Sequence, residues 1–123
     1  MNETSPNLIL RFVLEVVAFF AIGYWGWLAT DTPGNYVLAI GLPVLAAAVW
    51  GVFNVPGDPS RSGKAPVPVP GWLRLLLELT ILGAGAYALY ASIGWIAGMV
   101  FVVLTGIHYA TSTDRLQWLL QQT

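Results

Sequence analysis

The chain has 123 residues, 57% of them hydrophobic and 9% charged, with a mean hydropathy of +0.71. An ordinary soluble domain is about 45–50% apolar and about 25% charged. A soluble fold of this length cannot hide that much apolar surface, so a water-soluble domain is excluded, and no nucleic-acid partner is expected. The net charge of −1 says nothing until it is divided between the two sides of a membrane, and the absence of cysteine leaves no disulfide or thiolate metal site.

In chain order, the first apolar segment runs over about Leu8–Ala29. It lacks a basic leading region and a small-residue cleavage site and carries Glu15 in its apolar stretch, so it reads as a retained helix and not a signal peptide. Arg11 and Glu15 stand one turn apart on one helix face, where a salt bridge can form. The second segment, about Tyr36–Phe53, contains Pro43, which frees a carbonyl, and ends on Trp50 and Asn54. The connection 54–71 holds Arg61 and Lys64, and its Val67-Pro68-Val69-Pro70 run predicts extended backbone, as either a plain connection or a partner-docking strap. Gly57–Ala65 has the outline of a phosphate loop, but five residues separate its glycines, Ala65 stands where Ser or Thr is needed, and no strand precedes it, so that reading is rejected.

The third segment, about Trp72–Ala91, carries Arg74 and Glu78 at the same spacing as Arg11 and Glu15. Its small residues Gly83–Ala86 and Ala88 make it thin. A tight Ser92–Gly94 turn leads to the fourth segment, about Ile93–Thr111, in which Gly94-x-x-x-Gly98 invites close packing on helix three. His108 and Tyr109 lie near its end. Residues 112–123 predict an amphipathic tail with Leu116, Leu119 and Leu120 beside Trp118, either lying on the inner leaflet or extending helix four. Tyr24, Trp25, Trp27, Tyr36, Tyr90 and Trp95 form an outer aromatic belt, and Trp72, Tyr109 and Trp118 an inner one.

Each segment is near the roughly 17–25 residues needed to span a bilayer. The expected fold is therefore all-α: one integral membrane domain, 1–123, a four-transmembrane-helix bundle. All five basic residues, Arg11, Arg61, Lys64, Arg74 and Arg115, fall on the side shared by the two termini and the 54–71 connection. The positive-inside rule then places both termini in the cytoplasm. The two halves also match at a constant offset of 63 residues: Leu10-Arg11-x-x-Leu14-Glu15 with Leu73-Arg74-x-x-Leu77-Glu78, Tyr24 with Tyr87, and Trp27 with Tyr90. This reads as two tandem helical hairpins of like orientation.

Glu15 and Glu78 lie roughly 9–10 Å inside the helix starts, too deep for a carboxylate to reach water. They need partners. One polar layer in the cytoplasmic leaflet is expected to gather Arg11, Glu15, Trp50, Asn54, Arg74, Glu78, His108 and Tyr109 as ligand-binding candidates, with Glu15, Glu78 and His108 as candidates for chemistry. Three functions are compatible with such a layer. The first is binding or transport of a small lipophilic ligand or a proton. The second is a membrane-embedded enzyme using the Glu15/Glu78 pair as acid and base on a lipid or isoprenoid-like substrate. The third is purely structural, with intrahelical or crossed Arg–Glu clamps holding helices one and three together. The carboxylates and imidazole come from different helices without Glu-x-x-His spacing, so no metal and no cofactor is assigned. Membrane lipids are the expected partners, together with a second copy of the chain in a homodimer.

The pattern Arg11-Phe12-x-x-Glu15, Trp50-Gly51-x-Phe53-x-x-Pro56-x-x-Pro59, Arg74-x-x-x-Glu78 and His108 resembles the YrdB-like family of small bacterial four-helix membrane proteins, over nearly the whole chain. The resemblance implies the architecture and a bacterial inner membrane. It implies no activity, and no catalytic residue is carried over from it.

Overall fold

The computed structural model describes residues 5–57 and 65–122, with side chains from Ile9 onward, so Arg61 and Lys64 lie outside the described residues. It is all-helical apart from one two-residue strand pair. The elements are α1 (Ser5–Leu28), α2 (Gly34–Val52), β1 (Phe53–Asn54), β2 (Val67–Pro68), α3 (Gly71–Ser92), α4 (Trp95–Ala110) and α5 (Thr113–Gln121). Among the described residues, three helices are long and apolar enough to cross a membrane: Ile9–Leu28, Gly34–Val52 and Gly71–Ser92. A fourth span arises if α4 and α5, which meet at a 70° bend, are counted as one. α4 alone has 16 residues, a length of about 24 Å.

Proline and glycine set most of the boundaries. Pro33 precedes α2 with helical φ, the torsion its ring enforces. Pro70 is extended and hands directly to α3, because it cannot continue a helix backward through a missing N–H. At the α3–α4 turn the N–H groups of Ile93 and Gly94 both donate to Leu89 O, at 2.9 and 3.0 Å, and the Ser92 hydroxyl donates to Ala88 O. The prolines between 67 and 70 are extended as expected. Val67 and Pro68 pair in parallel with Phe53 and Asn54, and Val69 N–H donates to Asn54 O at 2.9 Å, which ties the return of the connection to the end of α2.

The core is a seam between α1 and α3, flanked by α2 against α1 and by α4 and α5 against α3. Leu14, Ala18 and Ala21 meet Ile81, Leu82, Ala88 and Leu89, with Trp50 and Phe101 closing the ends. Small residues let the backbones approach. A Cβ on Gly85 would come within 2.7 Å of the Ala18 methyl, and one on Gly98 within 3.0 Å of Tyr90 Cβ, so Gly98 brings α4 onto α3 as its spacing predicted. Pro43 removes the N–H that would bond Ala39 O. That carbonyl faces Gly23 of α1, where a Cβ would stand 2.8 Å from it.

The tail departs from the expectation that it extends helix four. α5 does not extend α4; it turns through 70° and packs on the start of α3. Its buried side is Ser112, Arg115 and Leu119, whereas Leu120 is exposed. The seat is close: Gly71 N–H donates to Gln122 O at 2.5 Å, and the Leu119 backbone occupies the space a Gly71 side chain would need.

Candidate functional site

Glu78 lies seven residues into α3, about 10 Å along the helix, and is completely buried. Three guanidiniums surround it. Arg74, one turn earlier on α3, donates from Nε to Oε2 at 2.8 Å, the i,i+4 pair that the spacing predicted. Arg11 reaches over from α1 with a fork, Nη2 to Oε2 at 2.9 Å and Nη1 to Oε1 at 3.5 Å. Arg115 comes down from α5 with a second fork, Nη1 to Oε1 at 2.9 Å and Nη2 to Oε2 at 2.6 Å. The Tyr109 hydroxyl of α4 donates to Oε1 at 2.9 Å. Two carboxylate oxygens thus accept six hydrogen bonds from α1, α3, α4 and α5, more than the roughly four lone-pair directions a carboxylate offers. Bidentate guanidinium–carboxylate pairs are the strong and geometrically demanding kind.

The remaining helix, α2, is joined through Arg74 and Trp50. Arg74 Nη1 donates to Trp50 O at 2.6 Å and Phe53 O at 2.9 Å, satisfying carbonyls at the C-terminal end of α2, where orphan acceptors and the negative end of the helix dipole favour a cation. The Trp50 ring lies 5.3 Å from the Arg11 guanidinium and 4.9 Å from that of Arg74, within cation–π range of both. Phe19 packs edge-on against the same ring at 6.2 Å. Asn54 holds the end of α2 by donating from Nδ2 to Gly51 O at 2.6 Å.

Of the residues expected in the layer, Arg11, Arg74, Glu78, Trp50 and Tyr109 come together around one carboxylate. His108 is buried, stacks edge-on with Tyr109 at 5.0 Å and lies within electrostatic range of Arg11, Arg115 and Glu78. Asn54 sits at the rim. Glu15 is half-buried. The clamp between α1 and α3 therefore takes the crossed form, Arg11 to Glu78. Among the described residues, no group of three or more His, Asp or Glu could hold a metal ion.

Arg115 is the residue that sequence reasoning missed. Ser112, Arg115 and Leu119 do fall on one helix face at i, i+3, i+7 spacing, but nothing in that spacing says the face meets Glu78. Among the described residues, three buried guanidiniums face one buried carboxylate. Two buried donors in the layer, Arg11 Nε and Trp50 Nε1, have no hydrogen-bond acceptor.

Residues 9–105 match the model of a family described as "Protein of unknown function (DUF2568)". Over 122 residues the chain is 42% identical to the Bacillus subtilis (strain 168) protein described as "Uncharacterized protein YrdB", an alignment that covers 99% of this chain and 98% of that one. No solved structure gives a significant match.

Proposed function

Because this chain belongs to the YrdB-like family of proteins of unknown function, we propose its role from its own geometry: it binds an anionic amphiphile at the cytoplasmic leaflet of a bacterial inner membrane. In this reading α1–α2 and α3–α4 are two tandem hairpins forming a four-helix membrane bundle, with both termini cytoplasmic. The 63-residue offset between Arg11/Glu15 and Arg74/Glu78 and the one-sided placement of the basic residues support it. The observation that carries the ligand class is the pair of buried donors without an acceptor, Arg11 Nε and Trp50 Nε1, beside the guanidiniums gathered on Glu78. A buried polar group left without a partner in a membrane interior is costly. A phosphate-bearing headgroup supplies acceptors for Arg11 Nε and Trp50 Nε1.

Native mass spectrometry of the purified protein tests this. Wild type should retain an anionic phospholipid in preference to a zwitterionic one, and Arg11→Gln should lose that preference. Equal retention of both lipids by wild type overturns the proposal.

One observation favours the structural reading instead. The six hydrogen bonds on Glu78 tie α1, α3, α4 and α5 together, as a clamp would. They also weaken the acid/base alternative, since a substrate would have to displace a guanidinium or Tyr109 to reach either oxygen. If no lipid is retained and Glu78 variants only lose stability, the clamp stands alone.

A further inference from the structure

We propose that two apolar clefts on either side of Tyr87 seat the two tails of one lipid, in the bilayer leaflet opposite the Glu78 layer. This rests on the membrane placement of the bundle and is independent of what binds at Glu78.

The first cleft lies between α2 and α3 with α1 as its floor. Ile22 and Trp25 of α1, Leu42 of α2 and Ala84, Tyr87 and Ala88 of α3 line about 290 Å³. Arg74 ties α2 to α3 at Trp50 O and Phe53 O, and the cleft opens about two turns further along α2, at Leu42. The second cleft lies between α3 and α4. Tyr87 and Tyr90 of α3 and Trp95, Gly98, Met99 and Val102 of α4 line about 350 Å³. A Cβ on Gly98 would stand 3.0 Å from Tyr90 Cβ, so a larger residue there would push the walls of this cleft apart. Tyr87 belongs to both linings and is 61% exposed, so it stands as a ridge between two grooves on one side of the bundle.

The linings call for hydrocarbon, and for two chains of it. Both are made of apolar and aromatic side chains, and both open sideways past exposed residues, Ala84 on one side of the ridge and Met99 on the other, onto the surface that meets acyl chains. Ala84 and Ala88 lie beyond the midpoint of α3 from Glu78. The second cleft runs from Trp95, the first residue of α4, to Val102, about 10 Å along the helix. That length fits within the about 15 Å that the tails of one leaflet occupy, half of the hydrocarbon core. Tyr90 and Trp95 stand at its outer end, and amphipathic rings settle at headgroup level. A spanning helix from a second copy would need a groove along its whole length, and each cleft stops within about two turns. An unfilled apolar groove forfeits the dispersion contacts of its walls. Two tails joined at one headgroup, one on each side of Tyr87, leave neither groove bare.

The test uses the full chain in phosphatidylcholine nanodiscs doped with a photoreactive phosphatidylcholine that carries a diazirine on each tail, or with its one-tailed lyso form. Marked residues are mapped by peptide mass spectrometry. The two-tailed lipid should mark Leu42 and Met99 above Val44 and Val100, which are exposed on other faces of the same helices at similar depth. Ala84 is itself exposed, so Ala84→Phe fills the first cleft from its open side. In that variant the two-tailed lipid should lose its marking at Leu42 and at Met99 together, whereas the lyso form should lose it at Leu42 alone. Marking of Met99 by the two-tailed lipid that survives Ala84→Phe overturns the shared lipid. Equal marking of all four residues in wild type overturns both seats. A disulfide joining two copies through Ala84→Cys gives the first cleft to a second copy and overturns the proposal. No marking anywhere on α1 to α4 overturns the membrane placement on which the proposal rests. Should Ala84→Phe fail to fold, Met99→Trp fills the other cleft and makes the reciprocal comparison: joint loss at Met99 and Leu42 supports the shared lipid, and retained marking at Leu42 overturns it.

Discussion

Replacing Glu78 by Gln is the most demanding perturbation of this molecule. The amide keeps the shape of the carboxylate and removes its charge, so Arg11, Arg74 and Arg115 lose their common counter-ion inside the bundle. The geometry makes the substitution worse than a simple loss. Whichever oxygen becomes NH2, it faces three donors: Arg11 Nη1, Arg115 Nη1 and the Tyr109 hydroxyl on one side, or Arg11 Nη2, Arg74 Nε and Arg115 Nη2 on the other. Removing one partner of a buried ion pair costs about 3–5 kcal/mol, and three partners are stranded here, so the expected loss is about 5 kcal/mol. That is a large share of the about 5–15 kcal/mol that holds a typical fold together. The assay is reversible unfolding by SDS in mixed micelles, followed by tryptophan fluorescence. Arg115→Gln leaves Glu78 with Arg11 and Arg74 and should cost less, about 1.5–3 kcal/mol for its charge-assisted bonds. The double variant should be more stable than the sum of the two losses predicts, by at least about 1 kcal/mol, because it no longer buries Arg115 beside an amide. A loss under about 1 kcal/mol for Glu78→Gln, or strict additivity in the double variant, would refute the picture of a shared counter-ion.

Gly71→Ala should unseat α5, since its methyl would coincide with the Leu119 backbone; tryptic cleavage after Arg115 should become rapid while the spanning helices keep their circular dichroism. Gly85→Ala should cost about 1–3 kcal/mol by forcing α1 and α3 apart at Ala18, whereas Gly83→Ala, with nothing within 4 Å, should stabilise by up to about 1 kcal/mol through helix propensity alone. Trp50→Phe should stay within about 1 kcal/mol of wild type in the SDS assay, because a weaker cation–π contact is offset by deleting a buried indole N–H that lacks an acceptor, and Trp50→Ala should lose about 3–5 kcal/mol.

The helices were legible because two signals agree along the chain. Long apolar runs give the interiors, and Pro33, Pro70 and Gly94 mark the ends, so the apolar segments of the sequence overlap helices α1 to α4, of which α1, α2 and α3 are each long and apolar enough to cross a membrane. The i,i+4 spacing of Arg74 and Glu78 is enough by itself to place one ion pair correctly. The same spacing on α1 was less informative. Arg11 lies on the seam facing α3, and its fork meets Glu78 across the helix pair, a preference that arises only from how the two helices pack. Arg115 was invisible for a related reason: a short amphipathic tail can turn several ways, and what selects its seat is the missing side chain of Gly71, a contact between residues far apart in sequence. The Trp50 ring between Arg11 and Arg74 likewise depends on where the end of α2 meets α3.

The pairing of Pro43 with Gly23 carries a further consequence. A carbonyl without its helical donor is costly in lipid, and here the bare Ala39 oxygen is turned toward the one stretch of α1 where the backbone can come up to it. Sliding α2 by one turn along its neighbour would set that oxygen against Phe19 or Trp27 and strand it. Proline and glycine together thus act as a register mark, giving the second helix a single depth at which it can settle against the first.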